Sequence, residues 1–560
     1  MSDDFEQHPT RRAVLLALTT AGVGTAVFRR ALAANLPTHT QVTPEMVQSA
    51  EWIAGIELDE ETRQQTARSA TSLLQELSTL RSAEVSYDTP VAFTFEPAPW
   101  RRTSTVDRTP TSVRPTESSA LPRPTKLDEL AFLPVTELAA LIRTRAVSSE
   151  ELTRLYLDRL QQFDLHLKCV VTLTEDLALK QARQADREIA AGIYHGPLHG
   201  IPWGAKDLIS VPGYPTTWGA PQFQKQELPG HATVARRLED AGAVLVGKLS
   251  LGALAMGDQW FGGRTNNPWN VKQGSSGSSA GSAAATAAGL VGFSIGSETN
   301  GSIVSPSQRC GVTGFRPTFG RVSRHGCMTL SWTMDKLGPI CRSVEDCALV
   351  FGAIHGADGL DAAAVNEPFH WPIQKDLREI CVGYIEAGLS DDDRKSLDVL
   401  RELGLKTKPV RLSEDRPIRE LLIILECEAA TVFDELTRSG DTQGLNAWPR
   451  IFRTAEFVPA VEYLRANRIR SKWIQELRGL FEEIDVLLGS NLVSLTNLTG
   501  HPMISLPNGF RTDANDVRTP IAIRLVGGLF RDEDLLHVAY HYQQATGFHL
   551  EHPELPATAE

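Results

Sequence analysis

Between Gly274 and Ser302 the chain reads GSSGSSAGSAAATAAGLVGFSIGSETNGS, 29 residues with few bulky side chains and ten hydroxyls. A serine hydroxyl is a weak nucleophile until an adjacent base takes its proton. A stretch so rich in serine therefore raises the question of which hydroxyl has a base. Residue size constrains the backbone: small residues let it turn sharply and let segments pack closely. The alanine run from Ala283 to Ala288 forms helix readily. The pattern predicts a turn, a buried helix, a strand over Leu290–Ile295, and a second turn at Thr299-Asn300-Gly301-Ser302. A flexible Gly/Ser linker does not fit, because Ala-Ala-Ala-Thr-Ala-Ala-Gly-Leu-Val needs a core to bury it.

Two other motifs compete for the chemistry. Gly277-Ser278-Ser279-Ala280-Gly281 matches GxSxG, a nucleophile elbow that would make Ser279 an esterase nucleophile. That elbow needs a strand immediately before it, and Asn270–Gly274 reads as a poor one. Gly242 to Lys248 matches GxxxxGK of a phosphate-binding loop, but its middle residues are strand-like apolars and Leu249 stands where Ser or Thr is required.

The stretch resembles the amidase signature family, whose usual pattern is Gly-Gly-Ser-Ser-Gly-Gly-Ser, an alanine-rich helix, then Gly-Ser-Asp-Thr-Gly-Gly-Ser-Ile-Arg. Here the two ends stand as Gly274-Ser275-Ser276-Gly277-Ser278-Ser279-Ala280-Gly281-Ser282 and Gly296-Ser297-Glu298-Thr299-Asn300-Gly301-Ser302-Ile303-Val304. A third segment, Gly200-Ile201-Pro202-Trp203-Gly204-Ala205-Lys206-Asp207, resembles the one that carries the family lysine. Matched by position, the resemblance implies Ser302 as nucleophile, Ser278 as the bridging serine after a cis peptide bond, and Lys206 as base. Ser279 and Glu298 are supporting residues, and Thr299, Asn300 and Gly301 form the turn that aims backbone N–H groups at the oxyanion. Lysine serves as a base only when neutral, against a reference pKa of about 10.4. Burial lowers that value, and Trp203-Gly204-Ala205 is a small, largely apolar context that permits burial. The implied reaction is hydrolysis of a small-molecule carboxylic amide through an acyl-enzyme, with no cofactor. No HExxH, zinc-ribbon or calcium-loop pattern points to a metal.

The chain departs from the family at three places around the nucleophile: Glu298, Asn300 and Val304 stand where Asp, Gly and Arg are common. Asn tolerates left-handed backbone better than most side-chain-bearing residues. Val304 removes a cation, and a buried carboxylate without a partner costs several kcal/mol or takes up a proton. Arg309 is the nearest cation in the chain, so a Glu298–Arg309 pair is expected.

The elements that position these residues follow a βα alternation. Ser148-Ser149-Glu150-Glu151 reads as a capping box, followed by Leu152, Leu155, Tyr156 and Leu160 on one helical face, and Ala243–Val246 reads as a buried strand. The expected fold class is α/β. The resemblance, running from about Phe132 to Pro553, implies a single α/β/α sandwich with a mixed, twisted central sheet. Arg419–Leu488 is mostly helical and matches least well.

Beyond this domain (127–553) lie a helical N-terminal extension (35–95), with helices over Pro44–Gly55 and Asp59–Arg81, and a Pro/Thr/Ser-rich tether (96–126). Residues 1–34 read as an export signal: Arg11-Arg12, an apolar run from Ala13 to Phe28, then Ala31-Leu32-Ala33. The run is too short for an ordinary membrane span. The arginine pair resembles a twin-arginine signal, which implies a periplasmic protein with no span after processing. A net charge of -12 excludes a nucleic-acid footprint. Seven scattered cysteines without a CxxC pair read as buried free thiols. A homodimer is compatible with this reading. The rival readings are a glutaminase-type subunit of tRNA-dependent amidotransferases and a catalytically inactive amidase-fold binding protein.

Overall fold

The computed structural model describes residues 41–54, 56–81, 93–98, 111–116, 122–413, 417–489, 491–512 and 517–555. The expected export signal lies outside them. The chain divides into two compact units, one of residues 1–90, 423–442 and 447–467, the other of the remainder. Helical segments within 423–467 thus group with the N-terminal extension rather than with the rest of 127–553.

In the first unit, helices Pro44–Ala54 and Glu60–Arg81 pack together. Asp59 caps the second by accepting the Thr62 N–H at 2.8 Å, and Arg63 ties it to Glu51 at 2.8 Å. Phe433, Trp448 and Phe452 stack in the same unit, where Tyr463 donates to Glu428.

The second unit is built on an eleven-stranded mixed sheet. Its strands are β1 (Val170–Leu173), β2 (Pro202–Lys206), β3 (Val244–Leu249), β4 (Phe293–Glu298), β5 (Thr313–Arg316) and β6 (Lys336–Cys341). They continue as β7 (Cys381–Ile385), β8 (Lys406–Val410), β9 (Val486–Leu488), β10 (Met503–Thr512) and β11 (Arg518–Gly527). The order across the sheet is β8-β7-β9-β11-β10-β5-β6-β4-β2-β3-β1. β2 runs parallel to β3 and β4, so their carboxyl ends open on one edge of the sheet.

Helices cover both faces in an α/β/α sandwich. They include α1 (Ser149–Leu167), α2 (Glu175–Ala190), α3 (Ala280–Ala287), α4 (Val304–Cys310), α5 (Val344–Ile354), α6 (Val493–Thr499) and α7 (Asp532–Thr546). α3 packs with α4, and α5 with α7. Ser148 caps α1 by accepting the Glu151 N–H, while the Glu151 carboxylate pairs with Arg123. All eight residues of α3 are buried, and it joins Leu160, Val244, Val246 and Ile340 in one core. A helix apolar all round belongs inside a core, and alanine alone leaves room for strands on one side and α4 on the other.

The strand expected over Leu290–Ile295 instead begins at Phe293 and runs to Glu298. Two glycines delay it: Gly289 has φ +63, and a Cβ on Gly292 would lie 2.8 Å from the Pro202 carbonyl oxygen. Asn270–Gly274, expected to be a poor strand, does form one, but it pairs only with Asn266–Asn267 in a separate hairpin. The described parts of the proline-rich stretch lie on this unit. Ser112–Val113 pairs in parallel with His370–Trp371, and Ala98 is buried. All seven cysteines are free: Cys169, Cys310, Cys341 and Cys347 are buried, the other three half-buried. No helix among the described residues is long and apolar enough to cross a membrane.

Candidate functional site

Four segments meet where β2 and β4 end. Lys206 closes β2, Ser278 and Ser279 lead into α3, Ser297 and Glu298 close β4, and Ser302 precedes α4. The carboxyl ends of strands are where open α/β sheets place ligands. Lys206 is fully buried, and its Nζ lies 2.8 Å from Ser278 Oγ, 3.1 Å from Ser279 Oγ and 2.9 Å from Ser297 Oγ. The Ser297 carbonyl accepts from it at 3.3 Å. Among the described residues every hydrogen-bond partner is a hydroxyl or a carbonyl, and no carboxylate touches the amine. The Gly277–Ser278 peptide is cis.

Burial falls along this path, from 0% exposure at Lys206 through 1% at Ser278 to 9% at Ser302. Ser302 is tied to the same loop through its carbonyl, which accepts the Ser279 N–H at 3.0 Å. No hydrogen bond joins the hydroxyls of Ser278 and Ser302 here, and apo sites commonly hold such pairs long until substrate arrives. Among the described residues, the backbone N–H groups of Asn300, Gly301 and Ser302 donate to no protein acceptor. They are free beside the Ser302 hydroxyl. Thr299, the first of the three residues expected to form the oxyanion turn, also donates its side-chain hydroxyl to Asp335 at 2.6 Å.

Burial pulls the Lys206 pKa down to about 7, against the opposing pull of Asp335 and Glu298. The lysine can therefore exchange a proton near neutrality. Burial by itself would raise Glu298, but Arg316, Asn497 and the N–H of Val304 hold its carboxyl down at about 2. Arg316 Nη1 is 2.6 Å from Glu298 Oε1, Asn497 Nδ2 donates to the same oxygen at 2.7 Å, and the N–H groups of Ile303 and Val304 donate to Oε2 at 2.8 and 3.0 Å. An ionised carboxylate is thus clamped across the start of α4, directly after Ser302.

The expected Glu298–Arg309 pair does not exist. Arg309 is exposed and donates to Gln273 Oε1 at 3.3 Å. On α4 the buried positions are Val304, Pro306, Ser307 and Cys310, which turns position 309 outward. The missing charge comes instead from Arg316 at the end of β5, fully buried and further held by Thr496 Oγ1 and the His501 carbonyl at 2.8 Å each. Val304 needs no cation, since its own N–H serves the carboxylate. Ser279, the elbow candidate, is buried and donates to the Ser297 carbonyl at 3.0 Å.

Sequence reasoning did not single out Ser297, Arg316 or Asn497. Ser297 sits inside a segment that resembles the family; Arg316 and Asn497 lie outside the three segments that carry the resemblance. Elsewhere, Glu188, His195 and His199 bring ligand-type atoms within 4.8 Å of one another. Yet His199 Nδ1 accepts the His195 backbone N–H at 3.2 Å, which leaves a neutral ring's proton on Nε2, facing Glu188 at 3.1 Å. That arrangement satisfies the cluster without an ion. A cavity of about 450 Å³ opens beyond β7 and β9, its mixed lining including Ile385, Leu488, Leu492 and Leu495 together with Asp393 and Asn491. Val493, between two of these, comes within 3.4 Å of where a Cβ on Gly301 would stand.

A family model described as Amidase matches residues 151–491. A glutamyl-tRNA(Gln) amidotransferase subunit from Moorella thermoacetica is 32% identical over 491 residues, covering 76% of this chain and 99% of that protein. Its counterpart from Methylococcus capsulatus is likewise 32% identical, over 74% of this chain and 98% of its own length. The crystal structure of peptide amidase from Stenotrophomonas maltophilia is 28% identical with a TM-score of 0.65, covering 76% of this chain and 98% of its own.

Proposed function

The chain belongs to the amidase family, an enzyme family acting on amide C–N bonds, and on that premise we propose that it hydrolyses a carboxylic amide with Ser302 as nucleophile, Ser278 as proton bridge and neutral Lys206 as base. The observation that carries this reading is the 2.8 Å contact between Ser278 Oγ and a fully buried lysine whose pKa falls to about 7. A neutral amine has one lone pair. Ser278 can donate into it while Ser279 and Ser297 accept its remaining N–H groups. The proton of Ser302 passes through Ser278 to Lys206 as Oγ attacks the carbonyl carbon. The oxyanion formed is met by the N–H groups of Asn300, Gly301 and Ser302, preorganised donors in a water-poor site. The leaving amine takes the proton back by the same route, and water then releases the acid from the Ser302 ester. Lys336, also buried and with its pKa well lowered by that burial, donates to the Met334 carbonyl.

Likeness to the peptide amidase supports peptide amides as a class to try first. The second reading, a glutaminase-type subunit, is favoured by the near-complete coverage of the amidotransferase relatives. The Arg11-Arg12 pair supports export, and Arg11→Lys with Arg12→Lys would then retain the chain in the cytoplasm. The test is covalent labelling with a sulfonyl fluoride, followed by peptide mass spectrometry. Adduct on Ser302, lost in Lys206→Ala, supports the reading; adduct on Ser279 with an active Ser302→Ala replaces it. Comparing free glutamine with peptide and aryl amides separates the two substrate readings.

A further inference from the structure

Asp335 lies just before β6, across from the end of β4, and uses both carboxylate oxygens. Oδ1 accepts the Thr299 hydroxyl at 2.6 Å. Oδ2 accepts the N–H groups of Leu330 and Ser331 at 2.8 and 2.9 Å, which fastens Asp335 to its own loop. The only side-chain bond from the turn Thr299–Gly301 to the rest of the protein, among the described residues, is therefore made to an anchored carboxylate. The same carboxylate is the strongest electrostatic partner of Lys206 that opposes its burial, ahead of Glu298. A lysine acting as base becomes an ammonium at the moment the serine attacks, and with no carboxylate in contact that charge is supported from a distance.

Resting on the catalytic reading above, we propose that Asp335 is a positioning residue of the reaction: it holds the oxyanion turn through Thr299 and supplies the negative charge faced by the Lys206 ammonium. The other charged or titratable groups around the pair are Glu298 on the lysine side, and Arg324, Lys336 and Cys327 on the aspartate side. Replacing Asp335 by Asn removes charge while keeping shape. The ammonium of Lys206 then loses support, so the lysine gives up its proton at lower pH. Replacing Thr299 by Val removes the hydroxyl that helps hold the Asp335 carboxyl down against its burial, so the turn loosens and any shift of the lysine is no larger than in Asp335→Asn.

The experiment measures kcat, KM and the pH dependence of kcat/KM for the full chain and for Asp335→Asn, Thr299→Val, Thr299→Ser and Ser302→Ala, using the amide turned over fastest. The expected result is a fall in kcat of between about tenfold and a hundredfold for Thr299→Val and Asp335→Asn, with KM nearly constant. Thr299→Ser recovers most of the loss. The rising limb of the profile moves to lower pH in Asp335→Asn, and by no more than that in Thr299→Val. An unmoved limb in Asp335→Asn, or a Thr299→Ser enzyme as slow as Thr299→Val, would overturn the proposal. If Asp335→Asn does not fold, the Val and Ser variants decide it. An active Ser302→Ala would instead overturn the catalytic reading itself, whatever the other variants do.

Discussion

β2 and β3 each bury a lysine, on adjacent parallel strands, and the protein treats the two in opposite ways. Lys248 on β3 lies 2.7 Å from Asp207 and also donates to the Pro215 carbonyl and Thr216 Oγ1 at 2.9 and 3.0 Å. Lys206 on β2 has, among the described residues, only hydroxyls and a carbonyl as partners. Both are fully buried. Burial alone therefore does not make a lysine a base. A buried lysine with a carboxylate in contact is tied into the structure by that pair. One without it meets the cost of burial by releasing its proton, as the lowering of Lys206 to about 7 reflects.

The sharpest way to break this comparison is to remove each amine in turn. Lys206→Met should lower kcat by about a thousandfold or more, within the range for loss of a general base. Its melting temperature should hold or rise, because the fold disfavours the charged form it removes. Lys248→Met should do the reverse. It strands Asp207 as a buried charge, a change that typically costs about 3–5 kcal/mol, measurable by urea denaturation. Were Lys206→Met the unstable variant and Lys248→Met the inactive one, the assignment of the two lysines would be backwards.

A third region sharpens the lesson from the acid side. Glu298 has both its oxygens satisfied, and its folded pKa is about 2 against an ordinary 4.5. The stability it contributes is fully present above pH 4.5 and is lost as pH falls towards 2, roughly 3 kcal/mol in all. Arg316→Met should raise the pH at which acid unfolding begins and should slow turnover, since the clamp on the start of α4 holds Ser302. Arg309→Ala, on the exposed face, should change stability by no more than about 0.5 kcal/mol. Smaller still in catalysis, Ser279→Ala should cost about tenfold in kcat, the scale of one net hydrogen bond, and less than Ser278→Ala. Equal losses for the two serines would deny Ser278 its place as the bridge.

The contrast between Arg309 and Arg316 also marks how far the sequence was legible. Local features came through: the alanine helix, the tight turn at Thr299–Ser302, the buried strand near Val244, and the three segments that carry Lys206, Ser278 and Ser302. Each depends on residues close in the chain or on a motif with its own spacing. The partner of Glu298 depends on which strand lies near the end of β4, and Arg316 reaches it from β5, with Asn497 arriving from α6 much farther along. No periodicity encodes such meetings. Arg309 is nearer in sequence, yet the same helical pattern that buries Val304 and Cys310 turns it to solvent. The start of β4 was misplaced for a related reason, since Gly292 is needed by the neighbouring Pro202 carbonyl rather than by its own strand.

The central claim is that a neutral Lys206 drives attack by Ser302, and the pH dependence of kcat/KM tests it most directly. The account predicts a low rate at pH 5, a single-proton rise centred near pH 7 where Lys206 loses its proton, and a plateau above it. A rate that is highest at pH 5, or that does not change between pH 5 and 9 in a protein that stays folded, would contradict it.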